Sequence, residues 1–140
     1  MTAPYTGGCA CGAVRYEISG EPLVMADCQC RDCQRKSGTG HGSYLTFPDR
    51  KSVTLQGRAT HWDIVADSGN AKTRAFCPTC GSPVYLTFST MPDLFTIHAA
   101  SLDDPSRYRP QMVLYTRSGP AWDQVDPALP SFDGMPPSGG

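Results

Sequence analysis

The chain has 140 residues, 39% of them hydrophobic, and a formal net charge of −1 from 12 basic and 13 acidic side chains. This length suits one domain with one core, and the balanced charge, without a basic stripe, argues against a nucleic-acid partner. No apolar run approaches the roughly 18 residues that a membrane span needs, and the first residues lack the basic-then-apolar layout of a signal peptide. We therefore expect a cytoplasmic domain with neither a nucleic-acid nor a membrane partner.

Short strands joined by turns are expected along most of the chain, because 14 glycines and 13 prolines disfavour long helices. Val14, Tyr16 and Ile18 alternate with more polar residues, as in a half-buried strand. The same reading predicts further strands over residues 23–28, 43–47, 53–55, 59–65, 72–76, 84–88, 95–99 and 111–115.

Helix is expected only over residues 31–37, where Gly38 would form the C-cap, and in a turn near residues 103–108. Other turns are predicted over residues 67–70 and 91–93. The proline-rich residues 118–140 are predicted to form an irregular tail that Trp122 anchors to the domain.

The seven cysteines lie in closely spaced C-x-C and C-x-x-C steps, a pattern that in a reducing cytosol indicates metal binding sooner than disulfides. Cys9 and Cys11 form one pair, and Cys77 and Cys80 form another that contains a proline and precedes Gly81. Two such pairs from distant parts of a chain make a closed four-thiolate site, typical of structural zinc. A redox-active C-x-x-C is disfavoured, because that motif should open a helix and Pro83 follows here.

Cys28, Cys30 and Cys33 form a three-cysteine cluster. Residues two apart on an extended segment leave the same face, and residues three apart on a first helical turn converge again. Three ligands suit a catalytic zinc with one open position, but a distant fourth ligand would make the site structural. Both alternatives remain, and the candidate fourth ligands are His41, His61, His98 and Asp27.

Three motifs in register resemble the glutathione-dependent formaldehyde-activating enzymes, also called the CENP-V/GFA group. The motifs lie in residues 8–16, 28–38 and 76–82, and the match extends over about residues 6–117. The resemblance implies one domain over residues 1–140, mainly β, with small antiparallel sheets around a structural zinc and only short helical turns. It assigns that zinc to Cys9, Cys11, Cys77 and Cys80, and a second, catalytic zinc to Cys28, Cys30 and Cys33.

The same resemblance implies a carbon–sulfur lyase that joins glutathione and formaldehyde to give S-(hydroxymethyl)glutathione. A zinc held by three thiolates is a weak Lewis acid, but it would hold a fourth sulfur as the nucleophilic thiolate. His41 or a water would then supply the proton that the product needs. Basic residues near the motifs could clamp the carboxylates of glutathione: Arg31, Arg35, Lys36 and Arg74.

Two hypotheses from different classes therefore stand. The first is an enzyme that joins a thiol to formaldehyde or another small electrophile, and the second is a non-catalytic zinc module with a structural or protein-binding role. An open three-thiolate site should hold metal less firmly than a closed one. If a sample holds no metal at this site, we expect its thiols to be the exposed, oxidation-prone ones.

Overall fold

The computed structural model describes residues 3–65 and 69–136, which form two β-sheets. The smaller sheet has three strands in the order β1-β2-β5, namely β1 (Tyr5–Gly8), β2 (Arg15–Ile18) and β5 (Val53–Gln56). The larger sheet has seven strands, which in spatial order are β10 (Met112–Leu114), β3 (Val24–Cys28), β4 (Gly42–Phe47), β9 (Met91–His98), β8 (Pro83–Phe88), β7 (Ala71–Phe76) and β6 (Thr60–Val65).

Neighbouring strands pair in antiparallel fashion, except that β10 runs parallel to β3. The predicted fold class, mainly β with small sheets, is confirmed. No helix in the described residues is long and apolar enough to cross a membrane.

The single α-helix of the described residues, α1 (Arg31–Ser37), has the predicted bounds. Its N-cap is Cys30, whose sulfur accepts the backbone N–H of Cys33, and its C-cap is Gly38 with φ of 75°. Glycine is favoured there because a Cβ atom is strained in this left-handed conformation. The remaining helical residues form short 3-10 turns at Arg50–Ser52, Ala99–Ser101, Pro105–Arg107 and Thr116–Ser118.

The largest group of buried side chains draws on both sheets. Ile18 from β2 joins Leu45 and Phe47 from β4 and Phe95 and Ile97 from β9, each at most 1% exposed. Burying these side chains is worth roughly 1.5–3 kcal/mol each. A second group surrounds the three-cysteine cluster and includes Tyr44, Leu86 and Tyr115.

Two features of the local structure differ from the sequence prediction. The predicted turn over residues 91–93 is wrong, because β9 begins at Met91, which pairs with Phe88. Pro92 is tolerated in this strand because β4 pairs only with the later part of β9, from Phe95 onward. Strand β1 was not expected; its Gly7 is required because a Cβ atom would lie 2.2 Å from the carbonyl oxygen of Ser101. Half of the turn predicted over residues 67–70 lies outside the described residues, because residues 67 and 68 are not described.

The C-terminal tail is held differently from the prediction, because Trp122 is 67% exposed and cannot anchor it. Instead, the tail runs beside β10, where Val113 forms a parallel bridge with Ser131. Asp123 supplies a second attachment by accepting a hydrogen bond from the Gln29 side chain at 2.9 Å. Since Gln29 lies between Cys28 and Cys30, the tail reaches the three-cysteine cluster.

Candidate functional site

The four-cysteine cluster, Cys9, Cys11, Cys77 and Cys80, joins the segments that follow β1 and β7. All four sulfur atoms lie within 4.8 Å of one another, and Cys11 Sγ is 3.7 Å from the sulfurs of both Cys9 and Cys77. Zinc–sulfur bonds of about 2.3 Å in a tetrahedron place the sulfurs about 3.8 Å apart, whereas a disulfide needs about 2.05 Å. The geometry therefore fits a tetrahedral metal ion and not a pair of disulfides.

Hydrogen-bond donors surround the sulfurs of this cluster. The backbone N–H of Val14 lies 3.2 Å from Cys9 Sγ, and that of Thr79 lies 3.4 Å from Cys77 Sγ. The Val14 hydrogen bond lowers the pKa of Cys9, and hydrogen bonds at Ser82 lower the pKa of Cys80 to about 5. Donors of this kind favour the thiolate, which is the form that binds metal.

The three-cysteine cluster is placed by the end of β3 and the start of α1. Cys28 ends the strand, Cys30 caps the helix and Cys33 lies on its first turn, so the sulfurs lie within 4.8 Å of one another. The expectation that these thiols are the exposed ones is wrong, since all three are less than one-tenth exposed. Tyr44 and Tyr115 pack against the cluster, while the exposed thiols are those of the four-cysteine cluster, Cys11 and Cys80.

None of the four candidate fourth ligands joins this cluster. Among the described residues, no other His, Cys, Asp or Glu ligand atom lies within the same 4.8 Å. His61 Nε2 lies 3.3 Å from the hydroxyl of Tyr85. His98 is buried with its ring centroid 4.9 Å from that of Tyr44. Burial, and then the charge of Arg74, lower the pKa of His98 to about 3.

The other two candidates, His41 and Asp27, lie side by side near the end of β3. Asp27 Oδ1 accepts hydrogen bonds from Ser43 at 2.7 Å and Tyr108 at 2.6 Å, which occupy this oxygen. His41 Nε2 lies 3.9 Å from Asp27 Oδ2, and its Nδ1 lies 2.8 Å from Asp123 Oδ2. Cys28 pairs with Gly42, the residue after His41, so the imidazole is attached next to the cluster.

A buried ionic network also contacts the three-cysteine cluster. Asp32 Oδ2 is 2.9 Å from Lys72 Nζ and 2.7 Å from Arg74 Nε, and Arg74 Nη2 is 3.5 Å from Cys33 Sγ. Hydrogen bonds from the Cys28 and Cys30 thiols, and the charge of Lys72, lower the pKa of Cys33. The same sulfur–sulfur hydrogen bonds raise the pKa of Cys28. Cys33 is therefore the thiol of the three that loses its proton most readily. The positive charge of the network favours the negative charge of the resulting thiolate.

Sequence reasoning named Arg74 only as one of four basic residues that could bind the carboxylates of glutathione, and it did not single out Lys72, Asp32 or Asp123. One available signal was the spacing of Lys72 and Arg74, which puts both side chains on one face of a predicted strand. The other basic candidates stay outside the cluster: Arg31 and Arg35 are exposed, and Lys36 lies over the ring of Trp62 at 5.8 Å.

A cavity of about 430 Å³ lies beside the four-cysteine cluster and is lined by Cys9, Ser82, Arg15 and Asp103 among others. Arg15 Nη1 donates to Asp103 Oδ1 at 2.8 Å, so this pair is already satisfied. None of the three cysteines of the other cluster lines this cavity.

Comparison with known proteins is consistent with this arrangement. Residues 4–118 match the family model described as "Glutathione-dependent formaldehyde-activating enzyme". A Halomonas elongata protein named "Putative glutathione-dependent formaldehyde-activating enzyme" is 27% identical over 126 residues, covering 86% of this chain and 80% of that protein. A crystal structure of a Rhodobacter sphaeroides protein has the same fold, with a TM-score of 0.57 at 20% identity, covering 91% of this chain and 99% of that one. Because the family model covers most of its length, the chain belongs to the glutathione-dependent formaldehyde-activating enzyme family.

Proposed function

We propose that this single-domain protein is a cytoplasmic, zinc-dependent carbon–sulfur lyase that joins a thiol such as glutathione to formaldehyde or another small electrophile. The observation that carries the proposal is the three-cysteine cluster. Its sulfurs converge within 4.8 Å, and no fourth His, Cys, Asp or Glu ligand atom of the described residues joins them. Three protein ligands and one open position are typical of catalytic zinc, whereas the four-cysteine cluster has the closed set of a structural site.

When bound by Cys28, Cys30 and Cys33, zinc would keep a fourth, substrate sulfur ionised at neutral pH. Three thiolates and one divalent ion sum to −1, and Asp32, Lys72 and Arg74 together contribute +1. Before the substrate thiolate binds, the cluster and its network are therefore neutral, which reduces the cost of burying the charge.

The reaction needs one new bond and one proton transfer. The thiolate sulfur attacks the carbonyl carbon, a carbon–sulfur bond forms, and the electron pair of the carbonyl π bond moves to oxygen. The resulting alkoxide takes the proton that the thiol lost. We assign this proton transfer to His41, because Asp123 binds its Nδ1 and leaves Nε2 facing the end of β3.

The alternative is a non-catalytic zinc module that binds a protein. It has one observation in its favour, since β6 is an edge strand that exposes Trp62 and Val65. It gives no reason for Arg74, which is buried beside Cys33, and we therefore favour the enzyme.

The test is exchange NMR of glutathione and formaldehyde with catalytic amounts of protein. The uncatalysed addition is measured without protein, and its rate is subtracted. Wild-type protein should accelerate exchange between free and hydroxymethylated glutathione, and Cys28→Ser should remove the acceleration. His61→Gln serves as the control, since His61 contacts Tyr85 and is exposed. Zinc-loaded wild-type protein that leaves the exchange rate at its background value would contradict the proposal.

A further inference from the structure

The guanidinium of Arg74 is buried and fixed on two of its three nitrogens. The residue is 3% exposed, and its Nε donates to Asp32 Oδ2 at 2.7 Å. Its Nη2 lies 3.5 Å from Cys33 Sγ and 3.4 Å from the hydroxyl of Tyr44. Because the group is planar and rigid, these contacts also fix the direction of the third nitrogen, Nη1.

Nη1 of Arg74 has no hydrogen-bond partner, and it is the one buried side-chain nitrogen or oxygen of the described residues in that state. Leaving a buried donor unpaired costs about 1–3 kcal/mol, and more when the group is charged. Such an atom therefore requires an explanation. Nη1 shares a carbon atom with Nη2, so it is two covalent bonds from the atom that contacts Cys33.

We propose that Arg74 Nη1 is the hydrogen-bond donor to a ligand oxygen at the three-cysteine cluster, namely the aldehyde oxygen as it becomes an alkoxide. This inference rests on the proposed function and adds a catalytic residue to it. Negative charge moves onto that oxygen only as the carbon–sulfur bond forms. A fixed cationic donor in a buried site thus stabilises the transition state more than the substrates. The ligand class is a sulfur compound with an oxygen anion close to the sulfur.

Among the residues that the structure describes, no other cation near the cluster is equally placed. Lys72 Nζ is 2.9 Å from Asp32 and is held by that carboxylate. Arg31 donates to Gln34, and Arg35 is exposed. Lys72 therefore provides a matched comparison, because it contributes the same charge to the network without a contact to Cys33.

The experiment compares two thiols on cobalt-substituted protein, where binding of a fourth sulfur changes the cobalt–thiolate absorption. In mercaptoacetate a carboxylate is bonded to the methylene that bears the sulfur, whereas in ethanethiol a methyl group is bonded to that methylene. Wild-type protein should bind mercaptoacetate at least about tenfold more tightly, as one charge-assisted hydrogen bond predicts. Arg74→Met should reduce this preference to less than about twofold, while Lys72→Met should retain most of it.

Each result decides the question. An unchanged preference in Arg74→Met, or an equal loss in Lys72→Met, overturns the role of Nη1 and leaves the proposed function standing. No absorption change with either thiol in wild-type protein overturns both. If Arg74→Met does not fold, Arg74→Lys replaces it, because lysine keeps the charge near Asp32 but has a single nitrogen. The preference should be lost there too, and its retention would overturn the inference.

Discussion

The Nδ1 atom of His41 lies 2.8 Å from Oδ2 of Asp123, a residue 82 positions later in the chain. The Asp123 carboxylate also accepts a hydrogen bond from Gln29 at 2.9 Å, and its side chain is only 6% exposed. A residue of the C-terminal tail thus orients the imidazole that we assign to proton transfer.

Replacing Asp123 with Asn should lower the catalysed exchange rate, because the amide does not hold one imidazole tautomer as a carboxylate does. Loss of a buried hydrogen-bond acceptor should also cost about 1–3 kcal/mol of the free energy of unfolding. Proton–nitrogen NMR of the His41 ring reports the tautomer, and urea unfolding reports the stability. Asp126→Asn is the control, since Asp126 is exposed and its side chain accepts the backbone N–H of Ala128. Wild-type exchange and an unchanged His41 spectrum in Asp123→Asn would contradict this role.

Cys77→Ser should remove one zinc per chain and unfold the protein or strongly destabilise it. Cys77 is fully buried, and metal binding energy at such a closed site is folding energy. Metal analysis of the purified variant and its melting temperature check the prediction. A folded, zinc-free Cys77→Ser protein that melts with the wild type would show that the four-cysteine cluster is not a structural metal site.

Cys30→Ser should abolish the thiol-adduct activity while the fold and the first zinc remain, because the two clusters share no ligand. Serine is among the best N-cap residues, so its hydroxyl can still accept the N–H of Cys33. Cys30→Ala loses both the ligand and the cap, and it should be less stable than Cys30→Ser by about 1 kcal/mol. Thermal melts of the two variants, together with exchange NMR, separate the metal ligand from the cap. Full activity in Cys30→Ser would exclude the cluster as the reaction site.

His98 should make the protein less stable in mild acid. Burial and the charge of Arg74 lower its pKa to about 3, whereas the unfolded chain titrates near the usual value of about 6.5. At pH values between the two pKa values, His98 binds a proton in the unfolded chain but not in the folded protein. The contribution of neutral His98 is therefore present above pH 6.5 and is lost as the pH falls towards 3.

The measurement is the free energy of unfolding at several pH values between 6.5 and 4.5. Wild-type protein should lose stability faster than His98→Gln, by up to about 1.4 kcal/mol per pH unit. Acid release of metal affects both proteins and cancels in the comparison. Parallel pH profiles for the two proteins would show that His98 titrates normally in the folded state.

The parts of the site that depend on local spacing could be predicted from the sequence. Cys28, Cys30 and Cys33 are close in the chain, and the strand end followed by a helical turn brings their sulfurs together, as the intervals indicated. The bounds of the helix could also be predicted from the sequence, because Gly38 is a strong C-cap signal.

Contacts between distant segments could not be predicted in the same way. Arg74 reaches Cys33 across 41 residues. The strand spacing puts Arg74 on the same face as Lys72, but it does not show that this face lies against the cysteine cluster. Trp122 was expected to anchor the tail, but it is exposed, and the hydrogen-bonding Asp123 performs that role. The parallel pairing of β10 with β3 depends on the path that the chain takes between β9 and β10, and no local pattern reveals that path.

The separation of the two cysteine clusters along the chain sets the order in which a ribosome delivers them. The three-cysteine cluster is complete once Cys33 has emerged, whereas the four-cysteine cluster needs Cys80, which is 80 − 33 = 47 residues later. During translation the local trio can therefore take up metal while the other site still lacks half its ligands. A metal ion that reaches the nascent chain before Cys80 has emerged thus meets the complete ligand set of the site that we assign to chemistry, because the site that we assign to folding still lacks ligands.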